Sequence, residues 1–274
     1  MSDTRPLAVF DSGVGGLTVL AALRRKLPGE PLLYLGDTAR VPYGTRSDET
    51  VLRYAREATA FLMEKDVKAI VVACNTVSTI ALDALADALP LPVVGVLEPG
   101  ARAAARLTRN GRIGVIGTAA TIRSGAYARR LKALRLGCTV VQQACPMFVP
   151  LAEEGWTDGG VPQMVADAYL SEVRRANVDT LVLGCTHYPL LRDVIAGTMG
   201  PGVTLVDSAE AAAEETVGVL QEQDLQAMGR VRRPGEHFFV TDPGERFREV
   251  GERFLTGPIE RLERVALPVW PART

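Results

Sequence analysis

AIVVACNT at residues 69–76 and TLVLGCTH at residues 180–187 are the two stretches from which the fold is read. Each is a short, nearly unbroken apolar run, then a cysteine, then two polar residues ahead of a helical pattern. A run of this length without apolar–polar alternation suits a strand covered on both faces, the setting of a parallel sheet. Related runs recur along the chain as LAVF, PLLYLG, LPVVGVL, RIGVIG, TVVQQA, VTLV and FFV. Between them lie stretches of helical pattern such as LTVLAALRRKL, ETVLRYAREATAFLMEK, AYARRLKALRL and MVADAYLSEVRRA. Strands alternating with helices predict a doubly wound α/β architecture.

The polar residues that close the first four strands are Asp11, Asp37, Cys74 and Glu98, separated by 26, 37 and 24 positions. Those closing the next four are Thr118, Cys145, Cys185 and Ser208, separated by 27, 40 and 23. The agreement of the two series points to an internal duplication, each half a four-stranded α/β unit. The expected fold is therefore two pseudo-symmetric doubly wound lobes with mostly parallel sheets and an active site in the cleft between them. In such sheets ligands bind beyond the carboxyl ends of the strands, where helix N-termini present N–H groups. Cys74 and Cys185 stand at that edge, one on each wall.

The chain of 274 residues, 47% hydrophobic, is long enough for two lobes with a substantial core. Its net charge of −1, from 31 basic and 32 acidic residues, disfavours nucleic acid and anionic membrane as partners and leaves a small molecule. No apolar run reaches the ~20 residues of a membrane span, and MSDTRPLAVFD lacks the pattern of a signal peptide, so a cytoplasmic location is expected. Four scattered cysteines, Cys74, Cys138, Cys145 and Cys185, do not make a disulfide scaffold. Without a C-x₂-C pair no zinc site is expected. The four lysines (Lys26, Lys65, Lys68, Lys132) sit in no cluster suited to a pyridoxal Schiff base.

Two identical acid–base groups on opposing walls have a chemical meaning. Inverting a stereocentre by proton transfer needs one group to remove a proton from one face of the carbon and another to deliver a proton to the opposite face. A thiol, with an unperturbed pKa of about 8.5, serves as base or acid near neutral pH. A lone strand-end cysteine reads as a small buried hydrophobe; the pairing at equivalent positions is what singles these two out. Cys138 and Cys145 lack such partners and read as structural.

A catalytic thiol needs neighbours that settle its protonation. His187, two residues after Cys185, is placed to orient it or exchange a proton with it. Asp11 ends the first strand of the half carrying Cys74, with an N-cap of the following helix as its alternative reading. Glu153, in the half carrying Cys185, is expected to tune that thiol. Ser12, Asn75, Thr76, Thr118, Thr121 and Thr186 gather at the same edge and, with helix N-terminal N–H groups, are suited to hold carboxylates. The loop GDTARVPYGTRS at residues 36–47 carries Tyr43 and Gly44, which bring backbone amides near a ligand or simply close a tight turn. His237, ahead of FFV, reads as structural.

FDSGVGGLTV (10–19), YLGDTARVPYGTRS (34–47), VVACNTVST (71–79), VIGTAATIRSGAY (115–127), CPMFVPLAEEGW (145–156), LVLGCTHYPLL (181–191) and LVDSAE (205–210) together resemble the cofactor-independent glutamate racemases of the aspartate/glutamate racemase superfamily. The resemblance implies interconversion of L- and D-glutamate without a cofactor or metal, supplying D-glutamate for peptidoglycan. By that pattern Cys74 and Cys185 exchange the proton, Asp11 assists Cys74, and Glu153 and His187 assist Cys185. Asp11, Ser12, Tyr43, Gly44, Asn75, Thr76, Thr118, Thr121, Thr186 and His187 then line the glutamate site. The resemblance also implies a homodimer and an inserted second lobe, with residues 1–97 plus 211–274 forming the first lobe and 98–210 the second.

Three other readings compete. An aspartate racemase differs by the depth of the cleft. A nicotinamide-dependent oxidoreductase is suggested by DSGVGGLT, but Thr18 stands where the third fingerprint glycine belongs. A two-lobed binding protein would leave both cysteines as core.

Overall fold

The computed structural model describes residues 3–227, 235–242 and 245–269. The first part of the chain runs β1 (Leu7–Asp11), α1 (Leu17–Lys26), β2 (Leu32–Gly36), α2 (Asp48–Met63), β3 (Ala69–Val72), α3 (Asn75–Ile80), α4 (Leu82–Ala86), β4 (Val93–Gly95) and α5 (Leu97–Leu107). The second continues with β5 (Arg112–Gly117), α6 (Ala119–Ser124), α7 (Ala126–Leu134), β6 (Thr139–Ala144), α8 (Phe148–Glu153), α9 (Gly160–Arg175), β7 (Thr180–Gly184), α10 (Arg192–Met199) and β8 (Thr204–Asp207). The last comprises α11 (Ser208–Glu222), β9 (His237–Val240), α12 (Glu245–Leu255) and β10 (Leu262–Arg264).

Two sheets result, ordered β10-β9-β2-β1-β3-β4 and β6-β5-β7-β8. Every strand pairing among the described residues is parallel. This is the α/β class with two parallel sheets expected from the apolar runs, and the central strands explain why. Alternate residues of a strand point to opposite faces, so an unbroken apolar run supplies both covering layers at once. Leu7, Val9 and Val71 pack on one face of the first sheet with side chains from α1, α11 and α12, while Ala8, Phe10, Ile70 and Val72 pack on the other with α2. In the second sheet Leu181 and Leu183 join α9 and α10, and Val115 and Val182 face α5 and α7.

The first sheet departs from the four-stranded half in two places. β9 pairs with β2 and β10 with β9, so six strands form it among the described residues. The Leu262–Arg264 segment is a three-residue edge strand with two exposed charged residues, which leaves no apolar pattern to read. Glu98 does not stand at a strand end: β4 stops at Gly95, and Glu98 lies in the first turn of α5, paired with Arg102 and Arg130. Its counterpart Ser208 opens α11, a helix that packs against both α1 and α5. Among the described residues no helix is long and apolar enough to cross a membrane.

Candidate active site

The carboxyl ends of β3 and β7 face one cavity of about 200 Å³. Its wall contains Ser12, Tyr43, Gly44, Cys74, Asn75, Thr76, Thr118, Cys185, Thr186 and His187. Asp11, Thr121 and Glu153 are not part of that wall; Asp11 acts on Cys74 by its charge, and Thr121 and Glu153 bond to Thr76 and His187, which are part of it.

Cys74 follows β3 at the start of α3 and is buried, with its Sγ 3.5 Å from Ser12 Oγ. Burial, and next the charge of Asp11, push this thiol up to about 12. Asp11 is itself buried; burial raises its carboxyl, while His187 and backbone N–H groups act in the opposite direction. Gly13 N–H donates to Asp11 Oδ2 at 2.9 Å, and Oδ1 has no hydrogen-bond partner. Asp11 is not the cap of α1, whose N-cap is Gly16 without a side-chain bond. The strand-to-helix turn crosses too close for a side chain at Gly16, where a Cβ would lie 2.5 Å from that of Asp11 and 2.9 Å from that of Ala73.

Cys185 follows β7, again buried, with Sγ 3.8 Å from His187 Nδ1. The other ring nitrogen, Nε2, lies 2.9 Å from Glu153 Oε1 at the end of α8. Glu153 thus reaches Cys185 through His187 and not directly, because the imidazole occupies the space between them. Burial works against a charged imidazole, but hydrogen bonds to Cys185 and Glu153 outweigh it and raise His187 to about 10. Burial opposes ionisation of Glu153, and the His187 hydrogen bond overrides it, leaving the carboxyl lowered.

The remaining wall joins the two sheets. Thr76 Oγ1 lies 3.0 Å from Thr118 Oγ1 and 3.4 Å from Thr121 Oγ1, so Thr121 braces the two threonines that face the cavity. Thr118 also caps α6, accepting from Thr121 N–H at 3.2 Å. Gly44 abuts Thr118, and a Cβ there would lie 2.9 Å from Thr118 Cβ. The Tyr43 hydroxyl donates to Asp37, whose other oxygen accepts from Thr241 at 2.9 Å, so Tyr43 lines the cavity with its hydroxyl already engaged within the protein. Thr18 Oγ1, in the first turn of α1, donates to Thr186 O at 3.2 Å, a further bond between residues packed on the two sheets.

Val41, Pro42, Thr45, Ala119, Pro146, Val149 and Pro150 also line the cavity. The sequence does not single them out: six of the seven are apolar residues near loop ends, which resemble core, and Thr45 reads as an ordinary turn residue; the prolines beside Tyr43 and Cys145 are the available signal. Cys145 and Cys138 are buried outside the wall, and the Cys145 carbonyl accepts from Tyr188 Oη at 2.8 Å. Among the described residues no three His, Cys, Asp or Glu side chains form a group able to hold a metal ion.

A cavity with a thiol at each of two strand ends, an imidazole beside one and a carboxylate beside the other, is suited to moving a proton on and off a carbon from opposite sides. The family described as Asp/Glu/Hydantoin racemase matches residues 17–216. A glutamate racemase of Geobacter metallireducens is 54% identical over 263 residues, covering 96% of this chain and 97% of that protein. The crystal structure of the Francisella tularensis glutamate racemase in complex with D-glutamate superposes with a TM-score of 0.90 at 39% identity, covering 96% of this chain and 98% of that one. The Bacillus anthracis glutamate racemase isoform RacE1 gives 0.92 at 41% identity, covering 97% and 99%.

Proposed function

The chain belongs to the Asp/Glu/hydantoin racemase family, and from that premise we propose that it interconverts L- and D-glutamate by proton transfer between Cys185 and Cys74. The observation that carries this reading is the placement of the two thiols at matching strand ends of different sheets, in one cavity. For L-glutamate, the Cys185 thiolate takes the α-proton, and the Cys74 thiol delivers a proton to the other face of the carbon; D-glutamate reverses the roles. Atoms balance, since one S–H bond forms as the other breaks.

The α-carbanion is the costly species, and the reaction needs no cofactor if fixed donors meet its charge. Ser12, Asn75, Thr76, Thr118 and Thr186 supply hydroxyl and amide donors, and the starts of α3 and α6 supply backbone N–H groups. Val41, Pro146, Val149 and Pro150 keep the mouth apolar, which strengthens those interactions. Asp11 serves Cys74, and the His187–Glu153 pair serves Cys185.

The same reading makes the protein a cytoplasmic homodimer that supplies D-glutamate for the cell wall. Its lobes divide at residues 1–97 plus 211–274 and 98–210. The test is to incubate the purified protein with L-glutamate and, separately, L-aspartate while following optical rotation. Loss of rotation with glutamate and its persistence with aspartate is the expected result. The reverse preference would make it an aspartate racemase, and constant rotation with both would overturn the proposal.

A further inference from the structure

Asn75 lines the cavity next to Cys74 on the first lobe, yet the groups that hold its side chain belong to the second. Tyr127 Oη, on α7, donates to Asn75 Oδ1 at 2.7 Å. Asn75 Nδ2 donates to Ser208 Oγ at 3.4 Å, and Ser208 Oγ donates to Leu183 O at 3.1 Å. All three side chains are buried.

The direction of these bonds follows from what each group is able to do. The Leu183 carbonyl only accepts, so the single Ser208 proton is spent there. Ser208 Oγ then accepts from Asn75, which identifies that side of the amide as NH₂ and the opposite side as carbonyl. Tyr127 must therefore be the donor, and burial, first among the causes, pushes its phenol up so that it keeps its proton. Asn75 is left with one N–H that bonds nothing else among the described residues. With the amide turned over, the same place would offer a carbonyl lone pair, which repels an anion.

We propose that Tyr127 and Ser208 are positioning residues that lock the Asn75 amide from across the cleft, so that its free N–H meets a carboxylate of the substrate beside Cys74. This rests on the glutamate racemase reading. It gives an otherwise remote tyrosine, with no exposed surface and no place in the cavity wall, a function in substrate binding.

The test is a double-mutant cycle with Y127F, S208A and N75A, read as kcat/KM for L-glutamate together with the thermal midpoint of each variant. Y127F removes one hydroxyl and keeps the ring packed. It orphans the Asn75 carbonyl and frees the amide to turn, so kcat/KM is expected to fall about ten-fold. In the N75A background the same change is expected to cost less than about two-fold, because the amide it positions is gone. A packing role would cost the same factor in both backgrounds. Should Y127F fail to fold, S208A keeps every ring in place and is expected to show the same coupling to N75A. Equal losses in both backgrounds, or kcat/KM of Y127F and S208A within two-fold of wild type, would overturn the proposal. A wild-type protein inactive on glutamate would instead overturn the activity reading, and this inference with it.

Discussion

Cys74 and Cys185 occupy matching positions beyond β3 and β7, but the groups beside them carry opposite charge. Next to Cys74 stand a buried carboxylate, Asp11, and the neutral hydroxyl of Ser12. Next to Cys185 stands His187, held cationic near neutral pH and backed by Glu153. The shared geometry is that of two parallel strands ending at one cavity, and the neighbouring side chains make the difference. An anion beside a thiol resists its ionisation and makes the thiolate, once formed, a stronger base; a cation beside a thiol favours the thiolate. In the free protein Cys74 is therefore biased toward the thiol, the form that delivers a proton when the L enantiomer is the substrate under the proposed mechanism.

The largest effect expected is from removing either wall. C74A and C185A should each lose racemisation by at least ~1,000-fold, since acid and base act in the same turnover. Near wild-type turnover by either variant, measured by optical rotation, would break the comparison outright. Next in size is the reversal of charge influence, readable as thiol alkylation against pH. D11N in a C185A background removes an anion from Cys74, so alkylation of Cys74 at neutral pH should accelerate. H187N in a C74A background removes a cation from Cys185, so alkylation there should slow. Changes of the same sign at both thiols would contradict the assignment.

A smaller effect is expected at Glu153. Its hydrogen bond is one of the causes that raise His187 to about 10, so E153Q should lower that value and bring the alkaline limb of the pH–rate profile to lower pH. An unmoved limb would show that Glu153 does not act through the imidazole. The least effect is on stability. The pKa of His187 is higher in the folded chain than its ordinary 6.5, so its interactions stabilise fully below about 6.5 and are lost as pH rises through about 10. The thermal midpoint gap between wild type and H187N should thus narrow from pH 6 to pH 10.

The strands were legible because central parallel strands are apolar on both faces, as AIVV and TLVLG display. The cavity was legible at its polar rim for a related reason: the residue after such a strand meets a ligand edge, and cysteine is an unusual occupant of it. Contacts between distant segments were not. Glu153 touches His187 because α8 packs against the turn at residues 188–191 that follows the cysteine, which no local pattern encodes. The sequence places Asn75 at the substrate edge beside Cys74 but gives no sign that its side chain is held by Tyr127, 52 residues away. The apolar half of the cavity was hidden because Val149 and Pro150 look like ordinary core, and β10 was hidden because its residues face water.

The central claim is that two thiols serve opposite faces of one carbon, and racemisation of L-glutamate in D₂O tests it most directly. In the initial phase, mass spectrometry of the separated enantiomers should find D-glutamate fully α-deuterated and the remaining L-glutamate still protiated, because one thiol keeps the substrate proton while the other delivers a solvent deuteron. D-glutamate that retains the original α-hydrogen would mean a single base working on both faces and would contradict the account.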